Sequence, residues 1–272
     1  MSAADSVPAR AAESLAALAA MKPRGEKIAA LTAYDYPTAR LLDESGVDIV
    51  LVGDTLGMVV LGYPDTTLVT IDDMRHHTRA VARAVRRALV VSDLPIATYT
   101  TSEQAVASAR LLVEAGAQAV KLEGGRTHTA QIGAIHRSGI PIVSHLGMLP
   151  QSVREEGGYH RKGKTPEAAE GLLADARAVE KAGAIAVVLE LVQAEVAERI
   201  SAAISIPTIG IASGMNCDGQ ILVSHDLIGL FPWFVPKFVR PRARVADEIR
   251  QAAAAFVTET KGKGCRFGGS SA

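Results

Sequence analysis

Five ionisable residues stand at or just past the ends of apolar runs that lie far apart in the chain. Asp54 follows Ile49-Val-Leu-Val-Gly53, Asp93 follows Ala88-Leu-Val-Val-Ser92, and Glu190 follows Ala186-Val-Val-Leu189. Lys121 and Glu123 share the run Ala119-Val-Lys-Leu-Glu123. Short continuous apolar runs read as strands buried on both faces, as in a parallel sheet. The C-terminal ends of such strands are where α/β proteins place their chemistry. In the Lys121 run, strand alternation puts Val120 and Leu122 on one face and Lys121 and Glu123 on the other. If helices cover the valine and leucine, the two charges point to the axis of a closed sheet. A charge there is costly unless it is paired, metal-bound or catalytic, a structural Lys–Glu pair being the plainest alternative. One acid at a strand end can cap the next helix; four acids and a lysine at one rim need a joint role.

Hard oxygen donors without clustered histidine or cysteine suit Mg²⁺, which binds through one or two carboxylates and keeps positions open for substrate. A 2-oxo acid would chelate such an ion through its carboxylate and keto oxygens. The ion would then acidify the adjacent carbon and stabilise the enolate. A lysine close by can hold the substrate carboxylate, and Glu190 is the best candidate for the base. The residues alone lead to metal-dependent enolate chemistry with the substrate unspecified.

The elements that must position these groups repeat one grammar. Ser45 to Asp54, Ala115 to Glu123 and Ala182 to Glu190 each read as a helix end, a glycine, an apolar strand and a closing acid. Thr70 with Asp73, and Thr100 with Glu103, have capping-box spacing, and Thr165-Pro166 has the form of an N-cap followed by proline. Pro37 suits the first turn of a helix. Strands are expected near residues 28, 48, 89, 119, 141, 185, 207 and 234, the last being Phe234-Val-Pro-Lys-Phe238. Most are followed by helical pattern. Eight alternating units predict an α/β fold, a (β/α)8 TIM barrel, with a short N-terminal capping helix from Glu13 after a frayed start. A doubly wound sheet is the alternative, but no Gly-x-Gly-x-x-Gly follows the first strand. The expected organisation is one barrel domain over 1–260, with a disordered tail over 261–272.

Composition agrees with a globular enzyme. The chain has 272 residues, is 48% hydrophobic, and balances 29 basic against 29 acidic residues. That balance, with 4% aromatic residues, gives no reason to expect nucleic acid or an anionic membrane as partner. Cys217 and Cys265 have no metal-binding spacing and read as reduced thiols. No signal sequence or membrane span is read, so the expected location is cytoplasmic.

Several stretches together resemble the ketopantoate hydroxymethyltransferase family from Thr32 to about Lys237. They are Leu-Thr-Ala-Tyr-Asp-Tyr (31–36), Val-Gly-Asp-Thr-Leu-Gly-Met (52–58), Thr-Ile-Asp-Asp-Met-Arg-His-His-Thr (70–78) and Ser-Asp-Leu-Pro (92–95). Val-Lys-Leu-Glu-Gly-Gly (120–125), His-Leu-Gly-Met-Leu-Pro-Gln-Ser (145–152), Val-Leu-Glu (188–190) and Asp-Gly-Gln-Ile-Leu-Val-Ser-His-Asp (218–226) follow in order. The resemblance implies transfer of a hydroxymethyl group from 5,10-methylenetetrahydrofolate to 3-methyl-2-oxobutanoate, giving 2-dehydropantoate for pantothenate synthesis. It implies Asp54 and Asp93 as Mg²⁺ ligands with Glu123 beside them. Thr55, where the family has serine, would hold the substrate carboxylate with Lys121. His145 matches the active-site histidine and Glu190 the proton acceptor. The implied assembly is a homodecamer. The chain departs from the family at Arg126-Thr127-His128, at Gly210-Ile-Ala-Ser-Gly214 and in the tail from Lys261. An added Cβ at Ala212 is expected to crowd the folate side.

Other features have plainer readings. Gly147 to Lys164 is a long loop whose basic end (His160, Arg161, Lys162, Lys164) could meet a folate glutamate tail or simply be solvated. His76 and His77 read as surface or core groups, His136 as a helix-end residue, and His225 as packing. Phe231 and Trp233 read as core or interface. Two rival functions remain at this point. One is a magnesium-dependent carbon–carbon lyase of the phosphoenolpyruvate/isocitrate lyase type, although no Lys-Lys-Cys-Gly-His-like segment is present. The other is a binding protein that kept the scaffold and lost activity.

Overall fold

The computed structural model describes residues 7–262, so the end of the expected tail, Cys265 included, lies outside the described residues. Residues up to Val223 form one compact unit and those from Ser224 another. In the first, eight parallel strands close in sequence order: β1 (Ile28–Thr32), β2 (Ile49–Val52), β3 (Leu89–Asp93), β4 (Ala119–Glu123), β5 (Ile142–Gly147), β6 (Ala186–Glu190), β7 (Thr208–Ile211) and β8 (Gly219–Leu222). The pairing of β1 with β8 completes the ring, with Ala30 opposite Ile221. This is the (β/α)8 barrel expected.

Helices intervene in chain order: α1 (Val7–Met21) precedes the barrel, and α2 (Tyr36–Glu44) follows β1. α3 (Leu56–Val59) and α4 (Ile71–Ala84) follow β2, α5 (Ser102–Glu114) follows β3, and α6 (Thr129–Arg137) follows β4. α7 (Val153–Glu156) and α8 (Pro166–Lys181) follow β5, and α9 (Ala194–Ala203) follows β6. Their starts are chemically fixed. Thr70 and Asp73 form the capping box of α4, and Thr165 caps α8 ahead of Pro166. Asp35 caps α2 by accepting from the Thr38 amide. The glycines after α2, α5 and α8 take φ of 86°, 108° and 102°, the left-handed turn that ends each helix and feeds the next strand.

Strand alternation splits the apolar side chains into two cores. Val50, Val90, Val120, Leu122, Val187 and Leu189 face outward and pack with the helices. Ile28, Ile49, Leu89, Ala119, Val143 and Val188 fill the interior, and Leu18 of α1 joins that inner cluster at 4% exposure. The N-terminal helix therefore does cap the barrel.

Three expectations are corrected. α1 begins at Val7, so the segment from there to residue 12 is helical. The cap of α5 is Thr101, accepting from the Gln104 amide, one residue later than Thr100 and Glu103. The eighth strand is Gly219–Leu222 and residues 234–238 form no strand. Only a short loop separates β7 from β8, so no helical pattern announces the last strand. The aromatic run at 231–238 carries Pro232 and Pro236, which cannot donate to a ladder. Trp233 is 77% exposed and lies edge-on to Phe231, with no core around it in this chain.

The second unit holds α10 (Ser224–Leu227) and α11 (Val245–Lys261). Among its titratable groups, burial raises Asp226 to about 6.

Candidate active site

The inward positions at the C-terminal ends of the strands carry the ionisable groups named from the sequence. Lys121 and Glu123 follow Ala119 on the inner face of β4, while Val120 and Leu122 face the helices. Asp93 ends β3, Glu190 ends β6, and His145 lies on β5 directly beside Glu123 in the register. Asp54 is 3% exposed, one residue past Gly53. A Cβ on Gly53 would come within 3.0 Å of Thr55 Oγ1 and 3.6 Å of Asp93 Oδ2, so glycine lets the ends of β2 and β3 close together.

Two chains of contacts run across this mouth. Lys121 Nζ pairs with Asp93 Oδ1 at 2.8 Å, and Asp93 Oδ2 accepts from the Asp54 amide at 3.1 Å. His145 lies between two glutamates: Nδ1 is 3.3 Å from Glu123 Oε1 and Nε2 is 3.4 Å from Glu190 Oε2. Thr55 Oγ1 is 3.1 Å from the Tyr34 hydroxyl. The structure thus brings Asp54, Asp93, Lys121, Glu123, His145 and Glu190 into linked contact, with Thr55 at the edge.

The electrostatics follow from burial and crowding. Asp54 is raised well above the usual carboxylate range, first by burial and then by the charges of Asp93 and Glu123. Burial also raises Asp93, although Lys121 pulls against it. Burial opposes ionisation of Glu123, but His145, Lys121 and the Gln151 amide together hold it below its ordinary value. Burial would likewise lower Lys121, yet the acids around it prevail and raise it. His145 is pushed up to about 9: burial and Lys121 work against its charge, and Glu123 and Glu190 outweigh them.

A divalent cation fits this donor set on charge grounds. Four carboxylates face one ammonium and one imidazolium, and a buried excess of negative charge requires compensation. Among the described residues no three such side chains form a ready-made cage. Magnesium does not demand one, since it binds through one or two carboxylates and retains water.

The sequence reading missed three neutral groups. Gln151, 5% exposed on the loop after β5, donates from Nε2 to Asp54 Oδ2 at 2.8 Å. Tyr99 is hydrogen-bonded to that amide, and Tyr34 to Thr55. Nothing in charge or periodicity distinguishes them, although Tyr34 and Gln151 fall inside the resembling stretches.

The remaining candidates sort differently. His77 Nδ1 lies 2.6 Å from the Tyr34 carbonyl, a structural contact. Arg161 donates to the Val192 and Ala212 carbonyls, both at 3.0 Å, and Lys162 pairs with Glu156. Two of the four basic loop residues are therefore engaged within the chain. Ala212 takes φ 53°, a left-handed conformation that costs a residue with a Cβ, and neighbouring Ser213 ties it down. The Ser213 hydroxyl donates to the Leu189 carbonyl at 2.8 Å and accepts from the Val192 amide at 3.0 Å. The departure at Arg126–His128 is a short 3₁₀ turn, with Arg126 paired to Asp175 and His128 packed against Tyr99.

The family model for ketopantoate hydroxymethyltransferase matches residues 13–265. The chain belongs to the ketopantoate hydroxymethyltransferase family. It is 53% identical over 243 residues to the 3-methyl-2-oxobutanoate hydroxymethyltransferase of Syntrophus aciditrophicus (strain SB), covering 89% of each chain. It is 52% identical to that of Acetivibrio thermocellus, covering 88% of this chain and 86% of the other. A ketopantoate hydroxymethyltransferase is a transferase of pantothenate biosynthesis, so the chain is an enzyme, and both rival readings fall. Among solved structures it resembles 2,3-dimethylmalate lyase, a member of the PEP mutase/isocitrate lyase superfamily. There the TM-score is 0.60 at 17% identity, covering 95% of this chain and 91% of the other. Phosphonopyruvate hydrolase in complex with oxalate and Mg²⁺ gives a TM-score of 0.60 at 12% identity, covering 91% and 98%. These likenesses concern the fold alone.

Proposed function

We propose that the ketopantoate hydroxymethyltransferase reaction runs here with 5,10-methylenetetrahydrofolate as donor to 3-methyl-2-oxobutanoate, with Mg²⁺ as cofactor. The observation that carries the reading is the convergence of Asp54, Asp93, Lys121, Glu123 and Glu190 from four strands of one barrel on a single mouth. Asp54 and Asp93 hold the cation, with Glu123 beside them directly or through water. When bound, the cation polarises the 2-oxo group and makes the C3 proton easier to remove. Lys121, with Thr55, holds the substrate carboxylate and orients C3.

Glu190 takes the proton from C3. Its neighbour His145 lies 3.4 Å from it and links it to Glu123 on the other side of the ring. Carbon C3 then forms its new bond to the folate methylene carbon, the two carbon–nitrogen bonds of that carbon break, water supplies the hydroxyl oxygen, and tetrahydrofolate leaves with the two protons given up by C3 and by water. The oxalate and Mg²⁺ held by phosphonopyruvate hydrolase, a relative in fold, are consistent with a 2-oxo acid on a cation in such a barrel. We further propose a cytoplasmic homodecamer. The exposed apolar face of α11, where Ile249, Phe256 and Val257 are all about half exposed, supports association between copies, and the number ten follows from the family resemblance.

An assay of 2-dehydropantoate formation tests the reading. Product should require 3-methyl-2-oxobutanoate and methylenetetrahydrofolate together, disappear after chelation, and return with Mg²⁺. Equal turnover in chelated protein, or with the folate omitted, would refute the cofactor or the donor respectively.

A further inference from the structure

The loop after β5 carries an uncharged side chain into the midst of the acids. Gln151 Nε2 donates to Asp54 Oδ2 at 2.8 Å and to the Leu94 carbonyl at 3.0 Å. Its Oε1 accepts from the Tyr99 hydroxyl at 2.5 Å, and its backbone amide donates to Glu123 Oε2 at 3.0 Å. Every polar group of the side chain is used, and the pattern admits one orientation. The Leu94 carbonyl can only accept, so Nε2 must face it and Asp54, and Oε1 is left to accept from the Tyr99 hydroxyl. Tyr99 is itself held edge-on to His128, ring centroids 5.5 Å apart.

We propose that Gln151 is a positioning residue for the divalent cation, fixing Asp54 through its side chain and Glu123 through its backbone, with the Leu94 carbonyl setting the direction of the amide and Tyr99 anchoring its oxygen. The inference rests on the metal reading above. Asp54 is buried beside Asp93, and like charges so close favour its side chain swinging away. The Gln151 N–H on Oδ2 holds the carboxylate against that movement and leaves Oδ1 for the cation. A carboxylate in place of Gln151 would bring a fifth negative charge and no donor. The neutral amide is the group this position requires. Because Gln151 belongs to the loop after β5, seating that loop and organising the ligands become one event.

Titration with Mn²⁺, followed by its electron paramagnetic resonance signal without substrate, tests this. Loss of an outer partner of a metal ligand typically costs about tenfold to a hundredfold in affinity. Gln151→Ala should weaken Mn²⁺ binding by at least about tenfold, a magnitude drawn from such partners generally. Tyr99→Phe keeps the amide but removes the anchor on its oxygen and should weaken binding severalfold. Both should keep the wild-type circular dichroism, with a lower Tm as buried hydrogen bonds are lost. Asp54→Asn separates the two ideas. If it binds Mn²⁺ like wild type, the metal reading fails and takes this proposal with it. If Asp54→Asn loses Mn²⁺ while both other variants bind as tightly as wild type, the role of Gln151 alone is refuted. Should Gln151→Ala not fold, Tyr99→Phe decides: wild-type Mn²⁺ affinity in that variant overturns the proposal.

Discussion

Buried carboxylates in this chain divide by how fully their surroundings compensate them. Asp43, 3% exposed, accepts from the backbone amides of Arg86, Arg87 and Ala88 at 2.8 to 3.0 Å and joins α2 to the start of β3. Its burial is a structural matter. Asp54 is as deeply buried but has one amide donor and two nearby acids, an arrangement that favours a cation or a proton. Glu190 differs again: its side chain is 14% exposed at the mouth and faces His145. Glu190→Gln should therefore slow deuterium exchange at C3 of 3-methyl-2-oxobutanoate by on the order of 10²- to 10⁴-fold, the usual contribution of a positioned base. Mn²⁺ affinity should change little. Exchange at the wild-type rate, read by proton NMR, would remove Glu190 as the base.

At the level of elements, the loop after β5 is the part that crosses the site. Arg154 of α7 donates to Asp65 Oδ2 at 2.7 Å and to Oδ1 at 3.2 Å, clasping it to the segment that follows β2. Tyr159 reaches the Met58 sulfur at 4.0 Å, and Gly157 and Gly158 take φ of 70° and 131° between these contacts. The Arg154 hydrogen bond, helped by Thr67, lowers Asp65 to about 2. A carboxyl lowered on folding stabilises the closed loop above its ordinary range near pH 4, and that contribution is lost as pH falls through about 2. Asp65→Asn keeps an acceptor for the Thr67 amide and removes the charge. Trypsin should cut the loop at Arg154 or Arg161 severalfold faster in this variant at pH 8, while Tm stays close to wild type because the pair is exposed on the arginine side. Unchanged cleavage would mean that the clasp does not hold the loop.

For the whole molecule, the apolar face of α11 is the feature that one chain leaves unfinished. Ile249, Phe256 and Val257 stand at i, i+7 and i+8, one stripe of the helix, and among residues of α11 only Ala246 is buried. Sedimentation of the purified chain should give a mass of ten copies. Phe256→Asp should yield smaller species with unchanged far-UV circular dichroism. A wild-type monomer at micromolar concentration would overturn the assembly.

The sequence alone determined the barrel and the residues at its mouth, because both depend on local pattern. Glycine-ended helices, apolar strands and strand alternation are written in neighbouring residues, and alternation sends Lys121 and Glu123 inward wherever helices cover Val120 and Leu122. The eighth strand escaped because Gly219-Gln-Ile-Leu222 is short and no helix precedes it; only its pairing with β7 and β1 marks it as a strand. Gln151 escaped for a related reason. An amide becomes informative through its partners, and Asp54, Leu94 and Tyr99 lie 97, 57 and 52 residues away. Tertiary structure decided those contacts, as it decided that His145 lies between Glu123 and Glu190, because each depends on distances that no local spacing encodes.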